Sequence, residues 1–560
     1  MDEDIELKEA APWLLGVVIL MGAFLRVYLL GDKGMWLDET FSVWLAGQGI
    51  GDMLQWIVRI DQHPPLYYLL LHYWIALKGD SPYYVRMFSA LFGAATIPVI
   101  YLIGVRISGV VVGLAAAVLL ALSTFNVYFA QEARMYTFLT FNASVAIYAL
   151  VWLLTDPRSI EPVGSQFRNY LHTWRTAKPS GHETEREFSY KNLSLDQRPG
   201  RAWIARHQWS SIQTIATDLS WVAFIVFSAA TLLSHHTALF FVLATNIYVL
   251  GLMLFKKLNK GGNLPAFQAP SFGNWVKAQV GIFLLWSPWL VAFIEQARRV
   301  SQEFWIPKPD WATVIDTLGS LLNTIAPGQI GQVMTWALCA VLCLGLVYYR
   351  KKLSILLFLV ALFAIPVLGE LIVSIFRPIF LGRTLIWITI PLFLMLAAGI
   401  AQLRYRLLMI LVLAVLVTNY LFADGDYYRF VQKEDWSTAA GYVATFAEKD
   451  DLVLFNSNFV EIPFDYYFRT YEDLYAIEVD KRGIPLDLFD SGVLEPKMTE
   501  NDVPKLISSL RGRDRVWLVY SHDSYTDPEG LLPQTLASQM KLIRTREFYG
   551  GKVYLYGAPD

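Results

Sequence analysis

The sequence predicts a polytopic α-helical membrane protein that ends in a soluble α/β domain. Three observations predict it. Apolar residues make up 55% of the 560 and charged ones only 17%, a balance outside the range of ordinary soluble chains. The apolar residues gather into about eleven runs of near-spanning length. From residue 424 onward those runs stop, and short β-rich stretches alternate with helix-like ones, the pattern of a small sheet domain. The formal charge of −2 excludes a nucleic-acid binder, which would carry a basic excess. Cys339 and Cys343, the only cysteines, sit four apart in one apolar run; they read as small buried hydrophobes rather than a disulfide or zinc pair.

In chain order, an acidic start leads into the apolar run Pro12–Leu30. No small-residue cleavage site follows it, so it reads as a retained anchor. Residues 31–82 form a long loop rich in aromatic and charged residues. Apolar segments then recur near 83–104, 108–126, 135–154, 218–233, 238–255, 275–294, 332–349, 353–376, 384–400 and 407–423, separated by a polar insertion at 155–217. Inside the first loop, Phe41, Trp44 and Leu45 follow Asp38–Glu39 at helical spacing, and Met53, Leu54, Ile57 and Val58 repeat the pattern. Both runs are too short to span, so they are expected as juxtamembrane helices on the bilayer surface. Domain one is thus 1–423 and domain two 424–560. In the latter, Leu452–Phe455, Leu474–Val479, Val516–Tyr520 and Val553–Tyr556 read as strands, and 438–448, 503–510 and 533–540 as helices.

Counted from a cytoplasmic N-terminus, the inside loops hold Arg106, then Lys256, Lys257 and Lys260, then Arg350, Lys351 and Lys352, then Arg404 and Arg406. Short basic loops face the cytoplasm. The insertion 155–217 joins them inside, while 31–82, the turn at 234–237, the loop 295–331 and domain two lie outside. Every residue with chemical promise falls on that outer face.

Four clusters there could carry chemistry. Asp38–Glu39 offers a carboxylate to accept a hydroxyl proton; the plainer alternative is that Asp38 caps the helix it precedes. Asp61 and His63 stand before Pro64–Pro65, which fix the backbone and can open a helix through Leu66–Leu77. Glu132, Arg134 and Tyr136 occupy the mouth between two spans, where an arginine fork suits a phosphate or simply anchors at the head groups. Arg377 and Arg383 flank outer span ends near His235 and His236, and arginines there run against the charge trend.

The stretches WLDETFSVWLAGQ, HPPLYYLLLHYW, RMFSAL and NVYFAQEARMYTFL occur in order over residues 13–155, followed by SHHTALF, FLGRTLIWITIPLFLMLAAG and KEDWSTAAGYV. This resembles the bacterial glycosyltransferase family 39 group, of GT-C fold, related to protein O-mannosyltransferases and to the aminoarabinose transferases of lipid A. The resemblance implies an inverting transferase of the cell envelope, multi-pass in the inner (plasma) membrane. It would take a sugar from a polyprenyl-phosphate carrier to a glycan, lipid or protein hydroxyl on the extracytoplasmic face. It implies that Asp38 is the catalytic carboxylate, with Glu39 beside it. His63 stands where aminoarabinose transferases carry a lysine, and Arg383 is followed by Thr384 where relatives often have tyrosine.

A polyprenyl phosphate is already a competent leaving group, so the enzyme must neutralise its growing charge and activate the acceptor. Arg134, Arg383 and His63 are candidates for the first task and Asp38 for the second. Asp61, Glu132, Tyr136, His235, His236 and Arg377 are further substrate or metal candidates. A divalent cation (Mg or Mn) at Glu39 or Glu132 is an open option, since hard cations favour carboxylate and phosphate oxygens. Phe304, Trp305 and Trp311 could cover the sugar or serve only as interfacial anchors. The alternative functions are a lipid-linked polysaccharide ligase or polymerase, expected to concentrate its residues in a later loop, and a secondary transporter, expected to show paired halves; no repeat is visible.

Overall fold

The computed structural model describes residues 2–61, 63–155, 199–259, 264, 266–299, 307–322, 329–476, 478–488 and 496–558. Most of the 155–217 insertion, together with Phe304 and Trp305, lies outside the described residues.

Among the described residues, eight helices are long and apolar enough to cross a membrane: Lys8–Val27, Pro82–Ser108, Tyr136–Thr155, Ile215–Leu232, His236–Leu258, Phe272–Arg298, Leu353–Ser374 and Arg406–Phe430. A further apolar pair of helices, Val110–Leu122 and Thr124–Ala130, meets at a bend of 56°. The break falls at Ser123, whose Oγ accepts the Asn126 N–H and so starts a new helix. Two shorter apolar helices, Val333–Tyr349 and Ile386–Ala401, complete the set. The eight, the bent one and the two short ones sit one on each of the eleven apolar segments. The sequence overestimated only how many would be straight and full-length. Glycines let two of them touch: a Cβ on Gly399 would lie 1.9 Å from the Val341 carbonyl oxygen, and one on Gly345 2.0 Å from that of Met395.

The first loop folds into three helices, α2 (Leu37–Ala46), α3 (Ile50–Arg59) and α4 (Leu66–Lys78), which follow the first long helix α1 (Asp2–Val27). The last opens behind Pro64–Pro65, as the prolines predict. The helix α3 buries Met53 and Ile57 and shows its other face. The helix α2 does more than lie on a surface: seven of its ten residues are buried between the bundle and domain two.

The helix Arg406–Phe430 runs on past residue 423, because Tyr427 and Tyr428 still pack against the bundle. Domain two then builds a five-stranded sheet in the order β2-β1-β3-β5-β4, from β1 (Leu452–Phe455), β2 (Asp480–Gly483), β3 (Arg515–Tyr520), β4 (Lys541–Phe548) and β5 (Gly551–Gly557). The first three strands are parallel and β5 is antiparallel to both its neighbours. Alternate residues feed two cores. Val453, Phe455, Trp517 and Val519 meet the helices Trp436–Phe446 and Glu461–Tyr475, while Leu452, Leu454, Val516 and Leu518 meet Leu506, Leu510, Leu532 and Leu536. The expected strand at 474–479 is not one: Leu474 and Tyr475 end the helix Glu461–Tyr475, and the partner of β1 comes just afterwards.

Candidate active site

The site begins with the placement of α2. Its N-cap, Trp36, supplies no side-chain cap. Instead Glu434 of domain two accepts the Leu37 N–H at 3.1 Å and, on the same oxygen, the Trp436 indole N–H at 2.7 Å. His522 lies 3.3 Å from its other oxygen. The Tyr467 hydroxyl accepts the Met35 N–H at 2.7 Å, and a Cβ on Gly34 would sit 3.1 Å from the Glu434 carbonyl oxygen. Only a glycine allows so close an approach without displacement. Domain two therefore pins the start of α2, from which Asp38 projects, and the capping role considered for Asp38 belongs to Glu434.

Asp38 is part-exposed, at 25% of its side chain, and lies between two arginines. Arg383 Nη1 donates to Oδ2 at 3.1 Å, and Arg134 Nε stands 4.0 Å from the same oxygen. Arg134 is almost enclosed and is held by the Asp38 carbonyl and Ser42 Oγ, each at 3.3 Å, and by the Tyr68 hydroxyl at 3.4 Å. Burial pushes the Asp38 carboxyl upward, but Arg134 and Arg383 outweigh it and hold the group below the usual aspartate range. Tyr136 lies under Arg383, with the guanidinium 5.9 Å from the ring centre. Asp38, Arg383 and the pair Arg134 and Tyr136, from three distant stretches of the chain, thus form one constellation.

Glu39 points the other way, and the expectation of a second reacting carboxylate beside Asp38 is corrected. It is fully buried and takes four donors. Oε1 accepts from Arg86 Nε at 2.8 Å and the Ala133 N–H at 2.9 Å; Oε2 accepts from Arg86 Nη2 at 2.7 Å and Lys433 Nζ at 3.0 Å. Burial alone would raise its pKa, yet Arg86 and Lys433 hold it well below the glutamate range. Glu132, also enclosed, faces Lys433 at 3.5 Å. Burial and the neighbouring carboxylates of Glu39 and Asp38 raise its pKa, with Lys433 opposing them. These are the two carboxylates expected to offer a cation site. Their placement does not fit one, since Glu39 has no oxygen left over and Glu132 faces an ammonium.

His63 Nδ1 donates to Asp61 Oδ1 at 2.7 Å. Its ring meets that of His235 edge-on, with centroids 5.1 Å apart. His235 is buried, and burial followed by the charge of His63 drives its pKa well down, so it is neutral at physiological pH. Its Nδ1 accepts the Thr237 N–H at 3.2 Å, which places its proton on Nε2. His236 turns aside to Gln296 Oε1 at 2.9 Å, and Gln296 in turn donates to the carbonyls of Ile57 and Asp61. Arg377 is exposed and donates to the Ala297 carbonyl, away from the constellation. Trp311 opens the helix Trp311–Leu321 with 77% of its surface exposed.

Four functional-looking side chains escaped the sequence reading as site residues: Arg86, Tyr68, Lys433 and Glu434. Each lies inside a motif noted there, but nothing in a linear chain reveals that Lys433 meets Glu39.

A bundle of spanning helices thus holds a carboxylate and two arginines at one end, beneath a sheet domain. A family model described as dolichyl-phosphate-mannose-protein mannosyltransferase matches residues 62–161. The fold is similar to that of ArnT from Cupriavidus metallidurans in the apo state, with TM-score 0.59, 12% identity and 98% of each chain covered. It is also similar to the same protein bound to undecaprenyl phosphate, with TM-score 0.55, 13% identity and 98% of each chain covered. The archaeal oligosaccharyltransferase AglB from Archaeoglobus fulgidus, in complex with an inhibitory peptide and a dolichol-phosphate, matches with TM-score 0.51 at 10% identity, over 98% of this chain and 74% of that one. No curated protein sequence matches the chain. The resemblance read from the sequence is borne out: this is a multi-span membrane protein with the GT-C fold.

Proposed function

We propose that the chain transfers a sugar from a polyprenyl-phosphate carrier to an acceptor hydroxyl on the extracytoplasmic face of the inner membrane, with inversion at the anomeric carbon. The observation that carries this reading is the part-exposed Asp38 carboxylate held between Arg134 and Arg383 at one end of the bundle. The structures of ArnT with undecaprenyl phosphate and of AglB with a dolichol-phosphate support a lipid-phosphate donor.

In this reading the donor phosphate competes with Asp38 for the two arginines. Bidentate arginine–phosphate pairing is favourable, and it releases the carboxylate toward the acceptor. The acceptor oxygen then attacks the anomeric carbon while its proton passes to Asp38. The bond from that carbon to the phosphate oxygen breaks, and the polyprenyl phosphate leaves with the electron pair. Arg134, Arg383 and His63 meet the added negative charge as it forms. Glu39 and Lys433 do not touch substrate; with Arg86 they fix the backbone on which Asp38 stands. Comparing glycans and lipid-linked sugars of membranes with and without the protein, by mass spectrometry, identifies donor and acceptor together. An unchanged pool of polyprenyl-phosphate sugar and an unchanged envelope would sink the reading.

A further inference from the structure

Arg383 lies in a turn that a neighbouring span holds from below. Glu370 and Ser374 are four residues apart on the helix Leu353–Ser374, so they share a face. Both are nearly inaccessible, at 1% exposure. Ser374 Oγ accepts the N–H groups of Ile379 and Phe380, each at 3.0 Å. The Thr384 hydroxyl donates to Glu370 Oε2 at 2.8 Å. The contacts at Ile379 and Phe380 on one side and at Thr384 on the other bracket Arg383. A carboxyl group this deep among spanning helices is costly to keep, and it touches none of Asp38, Arg134 or His63 in the contacts described above.

We propose that Glu370 is a positioning residue, holding the 381–384 turn so that Arg383 reaches Asp38. The assignment rests on the proposed role of Arg383 at the donor phosphate, but the geometry can be tested without a substrate. With Glu370 removed, Thr384 loses its partner on the neighbouring span, the turn loosens, and Arg383 spends less time at 3.1 Å from Asp38. The titration of position 38 then reports the change. The groups facing that position are Arg134, Glu132, Arg383, Asp61, His63, Tyr68 and Tyr136; of these, only Arg383 sits in the turn that Glu370 holds.

The experiment uses the full chain carrying Cys339→Ala, Cys343→Ala and Asp38→Cys, so that one thiol reports the field at the site. Its alkylation rate is followed against pH. Arg383→Gln is expected to raise the thiol pKa by about one unit, leaving about tenfold less thiolate at pH 7. Glu370→Ala is expected to match it and to add nothing in the double variant. Thr384→Val, which keeps shape and loses only the hydroxyl, should give part of the rise and stands in if Glu370→Ala does not fold. Glu370→Gln, which keeps a carbonyl acceptor, should restore the parent curve. Folded Glu370→Ala or Thr384→Val protein that titrates like the parent overturns the proposal. A separate arm measures undecaprenyl phosphate binding with Asp38 intact. Failure of the wild-type chain to bind it counts against the donor reading alone, and the thiol titration still decides Glu370.

Discussion

At residue scale, Asp38 and Glu39 are adjacent letters with opposite fates. Asp38 keeps one face open and two arginines in reach; Glu39 is sealed by Arg86, Lys433 and the Ala133 N–H. Because Glu434 caps α2, Asp38→Asn tests the proton acceptor without disturbing the helix start. Its turnover is expected to fall by on the order of a hundred-fold or more, with the melting temperature little changed; near-normal turnover of the purified variant would remove Asp38 as the base. The lowered pKa of Asp38 fixes the sign of the pH dependence. The free enzyme's base stays ionised as pH falls, until the lowered value is passed, so the acid limb of kcat/KM, which reports the enzyme before the phosphate takes the arginines, should lie below the ordinary aspartate value of about 3.9. Removing Arg383 should move that limb upward, and an Arg383→Gln profile that coincides with wild type contradicts the pairing. For Glu39→Gln the loss is one of stability. Breaking a buried pair leaves Arg86 and Lys433 uncompensated, at a cost of about 3–5 kcal/mol, which thermal unfolding in detergent will register.

At the scale of elements, the unit of interest is the join between α2 and domain two. Glu434→Ala removes the acceptor for Leu37 N–H and should cost about 0.5–2 kcal/mol, as loss of a helix cap does. Because that helix carries Asp38, turnover should fall with it, while Glu434→Gln, which retains a carbonyl oxygen, should recover most of both. Equal turnover in the alanine variant and wild type would leave domain two as a passenger. This join was hidden in the sequence. Local signals announced the parts: the helical spacing of Phe41, Trp44 and Leu45 gave α2, the double proline gave the start of α4, and short β-rich runs gave β1, β3 and β5. The strand β4 was missed because KLIRTREF lies almost wholly exposed, without the apolar alternation that marks a half-buried strand. Glu39 was misjudged for a different reason. Its neighbours Arg86, Ala133 and Lys433 arrive from three other segments, and sequence spacing holds no record of which way a carboxylate turns.

At the scale of the whole molecule, the direction of the helices decides what shares an end. The chain leaves Lys8–Val27, Ile215–Leu232, Leu353–Ser374 and Arg406–Phe430, and enters Pro82–Ser108, Tyr136–Thr155 and His236–Leu258, at the end where Asp38, Arg134, His235 and Arg383 gather. The opposite end holds Arg106, bonded to Thr155 Oγ1 at 2.8 Å, and Lys352, whose Nζ meets the Ile107 carbonyl at 3.4 Å. That second end carries the short basic loops, which the positive-inside rule assigns to the cytoplasm. The site and domain two are therefore expected outside. The test is cysteine labelling in intact cells by a membrane-impermeant reagent, in the Cys339→Ala, Cys343→Ala background, at three exposed positions: Asp52 in α3, Lys541 in β4 and Lys257 in the last turn of His236–Leu258. Asp52→Cys and Lys541→Cys should label from outside, and Lys257→Cys only after the membrane is opened. Outside labelling of Lys257→Cys, with Asp52→Cys protected, would invert the chain and put the arginine-bound carboxylate on the cytoplasmic face, where the proposed extracytoplasmic transfer could not occur.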